Sequence, residues 1–317
     1  MKKKVNQNKF CIIGLGKHAS DNLLPSLRKA NKRIIAYVSR TSKKRNRSFI
    51  RFRNIETAIK HLPKNINFVV STPPNTHFNI LTKLIRKNTI IFVEKPIFVS
   101  LNETKQFINL LKGSKSLIIE IFMYRYTNFF KKFLNKVNSL DDITDINCNF
   151  LVPGYPERTF RDDVSLSSSC LYDIGSYIID MFTEMNFKLT NFKLLETEIV
   201  NNYAKKIIFK FKAGSINCKS EIGLGKSYKN SVLIKTKKQE KFEFTPFFYG
   251  KKGFRKIKSN LKENLVFENN SFEKMFRINS LVKYNQSKAL NKMLISSRYL
   301  DELSVLLQKE IDRNEVT

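Results

Sequence analysis

The chain has 317 residues, with 58 Lys and Arg against 27 Asp and Glu, for a formal net charge of +31. That length allows two packed domains, and 42% hydrophobic residues supply enough apolar side chain to exclude wholesale disorder. The charge alone points to polyanions, but the chain also has 27 Phe, only 10 Gly and no Trp, a bias that an AT-rich codon supply gives any globular protein. The charge therefore reads as a solvated, lysine-rich surface, and no base-reading motif or aromatic–basic platform marks a specific nucleic-acid partner.

Other classes fall away on similar grounds. Met1-Lys2-Lys3-Lys4 ahead of Phe10-Cys11-Ile12-Ile13 imitates a secretory leader, but the apolar run is short and Lys17 and His18 interrupt it. No stretch approaches the roughly 18 uncharged apolar residues of a membrane span. Cys11, Cys148, Cys170 and Cys218 show no paired spacing and read as buried free thiols of a reducing compartment, so the expected location is cytoplasmic. The histidines are His18, His61 and His77, too few for a His-based zinc site or a Ser-His-Asp triad, and no metal is expected.

Along the chain, short apolar runs come first: Phe10–Ile13, Ile34–Val38, Phe68–Val70, Ile90–Val93 and Leu117–Ile121, separated by amphipathic stretches. Strands buried on both faces read as continuous apolar runs, and helical crossovers between them make the sheet parallel and doubly wound, a Rossmann-type α/β domain over 1–122. After about Arg125 the texture changes. Ile207, Phe209 and Phe211 alternate with polar neighbours, Ala213-Gly214 offers a turn, Ile216, Cys218 and Ile222 continue the pattern, and Phe242 and Phe244 repeat it. Period-2 strands with one polar face predict a mostly antiparallel sheet open on one side, in an α+β domain over 123–317. Ser167 to Met185 and Lys288 to Lys309 read as helices.

The first strand runs into Gly14-Leu15-Gly16-Lys17-His18-Ala19. In a G-x-G-x-x-A turn of this kind the first glycine permits the sharp bend, the second lets backbone approach a pyrophosphate, and Ala19 lets helix and strand pack closely. The helix start, with Lys17 beside it, offers N–H groups to phosphate. The second strand ends in Ser39-Arg40-Thr41-Ser42-Lys43-Lys44, not in the carboxylate that would take a ribose 2′-hydroxyl. A hydroxyl and a guanidinium suit a 2′-phosphate, so NADP(H) is expected, with NAD(H) the alternative. Ser71-Thr72-Pro73-Pro74-Asn75-Thr76-His77 and Val93-Glu94-Lys95-Pro96 follow two further strands, at the strand ends where open α/β sheets bind ligands.

This ordered set resembles the Gfo/Idh/MocA family of NAD(P)-dependent oxidoreductases. The similarity continues through Glu120-Ile121-Phe122-Met123-Tyr124-Arg125-Tyr126, which is similar to the domain-crossing segment of the dihydrodiol dehydrogenase and sugar ketoreductase subgroup, and Asp173-Ile174-Gly175-Ser176-Tyr177-Ile178-Ile179-Asp180, which resembles the family's D-x-G-x-H/Y-x-x-D helix. The resemblance spans roughly residues 10 to 185. It implies that Gly14, Gly16, Lys17, Ala19, Ser39, Arg40, Thr72, Pro73, Asn75, His77, Glu94, Lys95 and Arg125 line the cofactor. It also implies that Lys95 and Tyr177 are catalytic, and that Asp173 and Arg161 meet the substrate. Two departures stand out: Ser167-Ser168-Ser169-Cys170 occupies the place of a Gly-rich run, and Thr127-Asn128 replaces a His-Pro pair. The expected activity is hydride transfer between nicotinamide and a sugar, nucleotide-sugar or related cyclic polyol or ketone. The alternative is a non-catalytic NADP-binding regulator or scaffold. The open sheet face predicts a homodimer or homotetramer.

Overall fold

The structure, a computed structural model, describes residues 8–40, 49–85, 89–153, 169–200, 203–225, 227–277 and 285–315. The chain folds as two compact units, Met1–Phe122 with Phe272–Asn291, and Met123–Ser271 with Lys292–Thr317.

In the first unit, β1 (Lys9–Ile13), β2 (Arg33–Val38), β3 (Ile50–Phe52), β4 (Asn67–Val70), β5 (Ile90–Glu94) and β6 (Leu117–Ile121) form, among the described residues, one parallel sheet in the order β3-β2-β1-β4-β5-β6. All four residues of β4 are buried, as a strand covered on both faces requires. The strand missing from the apolar pattern is β3. It is three residues long with Arg51 at its centre, and it exists because Ala36, Tyr37 and Val38 of β2 give it a partner. After β1 the chain makes a wide π turn, Ala19–Leu23, that runs straight into α1 (Leu24–Lys29), with Leu23, Leu24 and Leu27 buried. The crossovers that follow include α2 (Ile55–His61), capped by Asn54 Oδ1 accepting the Thr57 N–H at 2.8 Å. They continue with α3 (His77–Leu84) and α4 (Leu101–Leu111), the latter capped by the Ser100 hydroxyl. Such caps satisfy N–H groups that the helix itself leaves open.

Residues 272–291 count with this unit although they lie in the last fifth of the chain. Phe276 sets its ring edge-on to Phe92 of β5 at 4.9 Å, and Gln286 Oε1 accepts the Ile118 N–H of β6 at 3.2 Å. An aromatic contact in the core and a bond to a strand's backbone are long-range facts that no local periodicity carries.

The second unit holds β7 (Ile143–Val152), β8 (Leu189–Val200), β9 (Tyr203–Ala213), β10 (Ile216–Leu224), β11 (Lys229–Thr236), β12 (Lys241–Thr245), β13 (Gly253–Ser259) and β14 (Glu263–Glu268), in the order β14-β13-β12-β11-β7-β10-β9-β8. β7 and β10 run parallel and the other neighbours antiparallel. Its helices are α5 (Asn128–Asn138), then α6 (Ser176–Glu184), entered by a second π turn at Leu171–Gly175, and most of α8 (Gln286–Glu315); the short α7 (Ser271–Phe276) lies at the join of the two units' sequence. One sheet face is covered. Phe133 of α5 meets Phe244 and Phe247 at 5.2 and 4.8 Å, and Phe182 of α6 meets Phe211 of β9 at 4.9 Å. The opposite face carries Lys210, Lys219, Glu243 and Lys258, set in cross-strand register with Asn147 and Leu233. This is the one-sided burial that the alternating pattern predicts.

Candidate active site

Gly14 closes β1 with φ +87°, and its N–H donates to Val38 O at 3.0 Å. A Cβ built there would lie 2.6 Å from Ser71 O and 2.7 Å from Thr72 Cγ2. The position therefore needs glycine twice, for its left-handed backbone and for its approach to the end of β4. Gly16 is different: a Cβ there would meet nothing within 4 Å, so its side of the turn is open, the form a diphosphate needs in order to reach backbone. Ala19 is fully buried beneath the turn. Lys17 points away into solvent and pairs with Asp21 at 2.7 Å, an exposed i,i+4 contact of little energetic consequence.

At the end of β2, Ser39 N–H donates to Phe52 O at 3.0 Å and Arg40 is exposed. Both carbonyls are braced by Arg51 of β3, whose Nη2 donates to Ser39 O and Arg40 O at 3.2 Å each. Thr41 to Lys44 lie outside the described residues.

The loop after β4 is fastened from within. Thr76 Oγ1 donates to Pro73 O and contacts Thr72 Oγ1, both at 2.7 Å. Asn75 is half-buried in the tight turn Pro74–Thr76. The ring of His77 is fully buried between two loops: Nε2 faces Thr72 O at 2.9 Å, and Nδ1 faces Ile97 O at 3.0 Å and Pro96 O at 3.2 Å. Burial lowers its pKa, against the pull of those carbonyls and of Glu94. The sequence reading made His77 a cofactor contact; in the structure the ring is packed between the Thr72 loop and the Lys95-Pro96 turn with both nitrogens against backbone carbonyls, and the neutral ring donates to one side only.

Glu94 ends β5, with Lys95 half-buried next to it and a cis peptide between Lys95 and Pro96. The carboxylate of Glu94 meets His18 Nε2 at 2.9 Å, and Asn22 Nδ2 lies 3.2 Å from His18 Nδ1. Burial pushes the Glu94 carboxyl up, but His18 first, then Lys95 and His77, outweigh it and hold its pKa below the usual value. Ile97 N–H donates to Glu120 Oε1 at 2.9 Å, locking the turn to β6.

In the second unit, Tyr177 stands on α6 within an aromatic cage of Phe150, Phe248 and Tyr124, with ring centroids 5.3, 5.6 and 5.9 Å away. Its hydroxyl reaches Met123 Sδ at 3.4 Å. Asp173, one turn earlier, is 8% exposed and belongs to the π turn that opens the helix. At Gly175, between them, a Cβ would lie 3.0 Å from Ile222 Cδ1 on β10.

Arg125, expected as a cofactor contact, pairs with carboxylates of its own unit. Its Nε donates to Asp180 Oδ2 at 2.8 Å, its Nη2 pairs with Asp180 Oδ1, and Nη1 lies 3.5 Å from Glu184 Oε1. Tyr124 Oη donates to the same Asp180 Oδ2 at 2.5 Å, and Lys292 reaches Glu184 at 2.8 Å. A buried carboxylate needs such partners, and Asp180 has both the guanidinium and the Tyr124 hydroxyl. Burial holds Tyr124 well above the usual phenol pKa, which keeps it a hydrogen-bond donor. Met123, Tyr124, Arg51 and His18 escaped the sequence reading, since each acts through a partner remote in sequence. Arg161, Ser167 and Ser168 lie outside the described residues. Among the described residues no group of His, Cys, Asp and Glu could hold a metal ion, and no helix is long and apolar enough to cross a membrane.

A parallel sheet with an open Gly16 turn, the Thr72 loop and the Glu94-Lys95-Pro96 turn at its strand ends fits the dinucleotide of an NAD(P)-dependent oxidoreductase. Residues 8–122 match the model of the Gfo/Idh/MocA oxidoreductase family, with an NAD-binding Rossmann fold. Among solved structures, the chain is similar to a 3-ketoreductase from Actinomadura kijaniata in complex with NADP and TDP-benzene, with a TM-score of 0.81 and 15% identity over 93% of this chain and 96% of that one. An aldose-aldose oxidoreductase from Caulobacter crescentus complexed with glycerol matches with a TM-score of 0.78 and 15% identity over 96% of this chain and 98% of that one. An oxidoreductase from Thermotoga maritima matches with a TM-score of 0.76 and 17% identity over 93% and 94%. At these identities the likeness is one of fold. No curated protein sequence matches the chain.

Proposed function

We propose that the protein is a cytoplasmic, NADP(H)-dependent oxidoreductase acting on a sugar, nucleotide-sugar or related cyclic polyol or ketone. The observation that carries this reading is the open glycine turn, with Lys95 at the strand ends of the same sheet; Tyr177 on the Asp173 helix of the second unit is the acid/base that the family resemblance implies. When bound, the nicotinamide supplies or accepts the hydride at the carbinol carbon. In the reducing direction Tyr177 Oη–H gives its proton to the substrate oxygen and regains one from solvent; in the oxidising direction the proton moves the other way. The Lys95 ammonium stabilises the negative charge that develops on that oxygen. Asp173 accepts a hydrogen bond from a substrate hydroxyl or orients Tyr177.

The preference for NADP(H) rests on Ser39 and exposed Arg40 at the end of β2, with no carboxylate there to repel a 2′-phosphate. The neighbour from Actinomadura kijaniata, solved with NADP and TDP-benzene, supports a nucleotide-sugar ketone as the first substrate class to assay. The polar open face of the second sheet supports a homodimer or homotetramer. The test is NADPH and NADH oxidation with free and nucleotide-linked ketosugars. Arg40→Asp should shift preference toward NADH, and an unchanged NADPH/NADH ratio would place the phosphate contact elsewhere. Tight NADPH binding with no turnover on any ketosugar would favour a regulator or scaffold.

A further inference from the structure

Within the first unit, two loops that the cofactor reading places on either side of one dinucleotide are joined by a side-chain bridge. His18 belongs to the helical entry after the glycine turn, where Ser20 N–H donates to Gly16 O at 3.0 Å. Glu94 closes β5 next to Lys95. Between them runs the 2.9 Å contact from His18 Nε2 to Glu94 Oε1, across 76 residues of sequence. The His18 ring is set on both remaining sides: Asn22 Nδ2 approaches Nδ1 at 3.2 Å, and Phe272 stands edge-on with its centroid 5.9 Å away. An amide donor at Nδ1 leaves Nε2 to carry the proton and to donate to the carboxylate. The bridge is partly screened, the Glu94 side chain being 14% exposed and that of His18 45%, so its worth as a stability contact is small. Its geometric effect is larger, because it fixes the distance between the rim that ends at Gly16 and the rim that carries Lys95.

We propose that His18 is a positioning residue for the dinucleotide: by holding Glu94 through Nε2–H it sets the glycine turn against the Glu94-Lys95-Pro96 turn before the cofactor arrives. Preorganisation of this kind raises affinity by removing an ordering cost from binding. The inference rests on the NADP(H) reading of this unit.

The test is the NADPH dissociation constant, read from nicotinamide fluorescence on the full chain, with thermal unfolding as a check on folding. Gln places an amide nitrogen near the position of histidine Nε2, and Asn stops at the reach of Nδ1. His18→Asn should raise Kd about tenfold, about 1.4 kcal/mol, while His18→Gln stays within about twofold of wild type. In a Glu94→Leu background, His18→Asn should cost nothing further, because the bridge is already gone. Equal affinity of His18→Asn and wild type, equal impairment of the Asn and Gln variants, or the same loss in both backgrounds would each overturn the proposal. Wild-type protein that binds no dinucleotide would overturn the cofactor reading itself, and the inference with it.

Discussion

The two glycines of the first turn should fail in opposite ways when each is replaced by alanine. Gly14→Ala forces a Cβ onto a residue at φ +87° and sets it 2.6 Å from the Ser71 carbonyl oxygen, a backbone atom that cannot swing aside. A left-handed conformation costs a non-glycine residue about 1–2 kcal/mol, and overpacking against fixed neighbours adds about 1–3 kcal/mol. The whole penalty is roughly 2–5 kcal/mol, a large share of an ordinary domain's stability, and should lower Tm by roughly 4–20 °C. Gly16→Ala meets nothing within 4 Å and sits at an ordinary backbone conformation, so its Tm should hold or rise slightly, since alanine restricts the unfolded chain. Its defect should be in dinucleotide affinity, because the added methyl occupies the space a diphosphate needs. Thermal unfolding and NADPH titration of both variants separate the two effects. The reasoning fails if Gly14→Ala melts like wild type, or if Gly16→Ala unfolds early while binding NADPH normally.

Tyr177→Phe keeps the ring among Phe150, Phe248 and Tyr124 and removes only the hydroxyl; kcat should fall roughly a hundredfold or more with Tm and NADPH affinity little changed, and Lys95→Ala should do the same. Near-normal turnover in both would defeat the assignment of the acid/base pair. Arg125→Ala strips the buried Asp180 carboxylate of its cation and should cost about 3 kcal/mol in urea unfolding; a loss below about 0.5 kcal/mol would show that Tyr124 alone suffices. Glu94 provides a pH signature. Its folded pKa lies below the ordinary 4.5, so its contribution to stability is complete above that value and is lost as pH falls through the lower folded one. The stability gap between wild type and Glu94→Gln should therefore shrink on acidification below the ordinary glutamate range. A gap that widens in acid contradicts the sign.

Much of the fold was legible from local pattern. Continuous apolar runs at Phe10–Ile13 and Phe68–Val70 announced strands buried on both faces, and the alternation of Ile207, Phe209 and Phe211 announced a sheet with one wet side. Both signals arise from the side-chain periodicity of a strand, which the sequence carries directly. Gly14 was likewise readable, because a turn that only glycine can make leaves glycine behind. The tertiary structure alone decided the rest. Arg125 pairs with Asp180 and Glu184, His77 packs against the carbonyls of Thr72, Pro96 and Ile97, and His18 meets Glu94. Phe276 and Gln286 return to β5 and β6, and three-residue β3 exists only where β2 offers its edge. A polar side chain's partner is chosen by which buried charge or carbonyl most needs it once the chain has folded, and that need depends on residues tens to hundreds of positions away, which no local window contains.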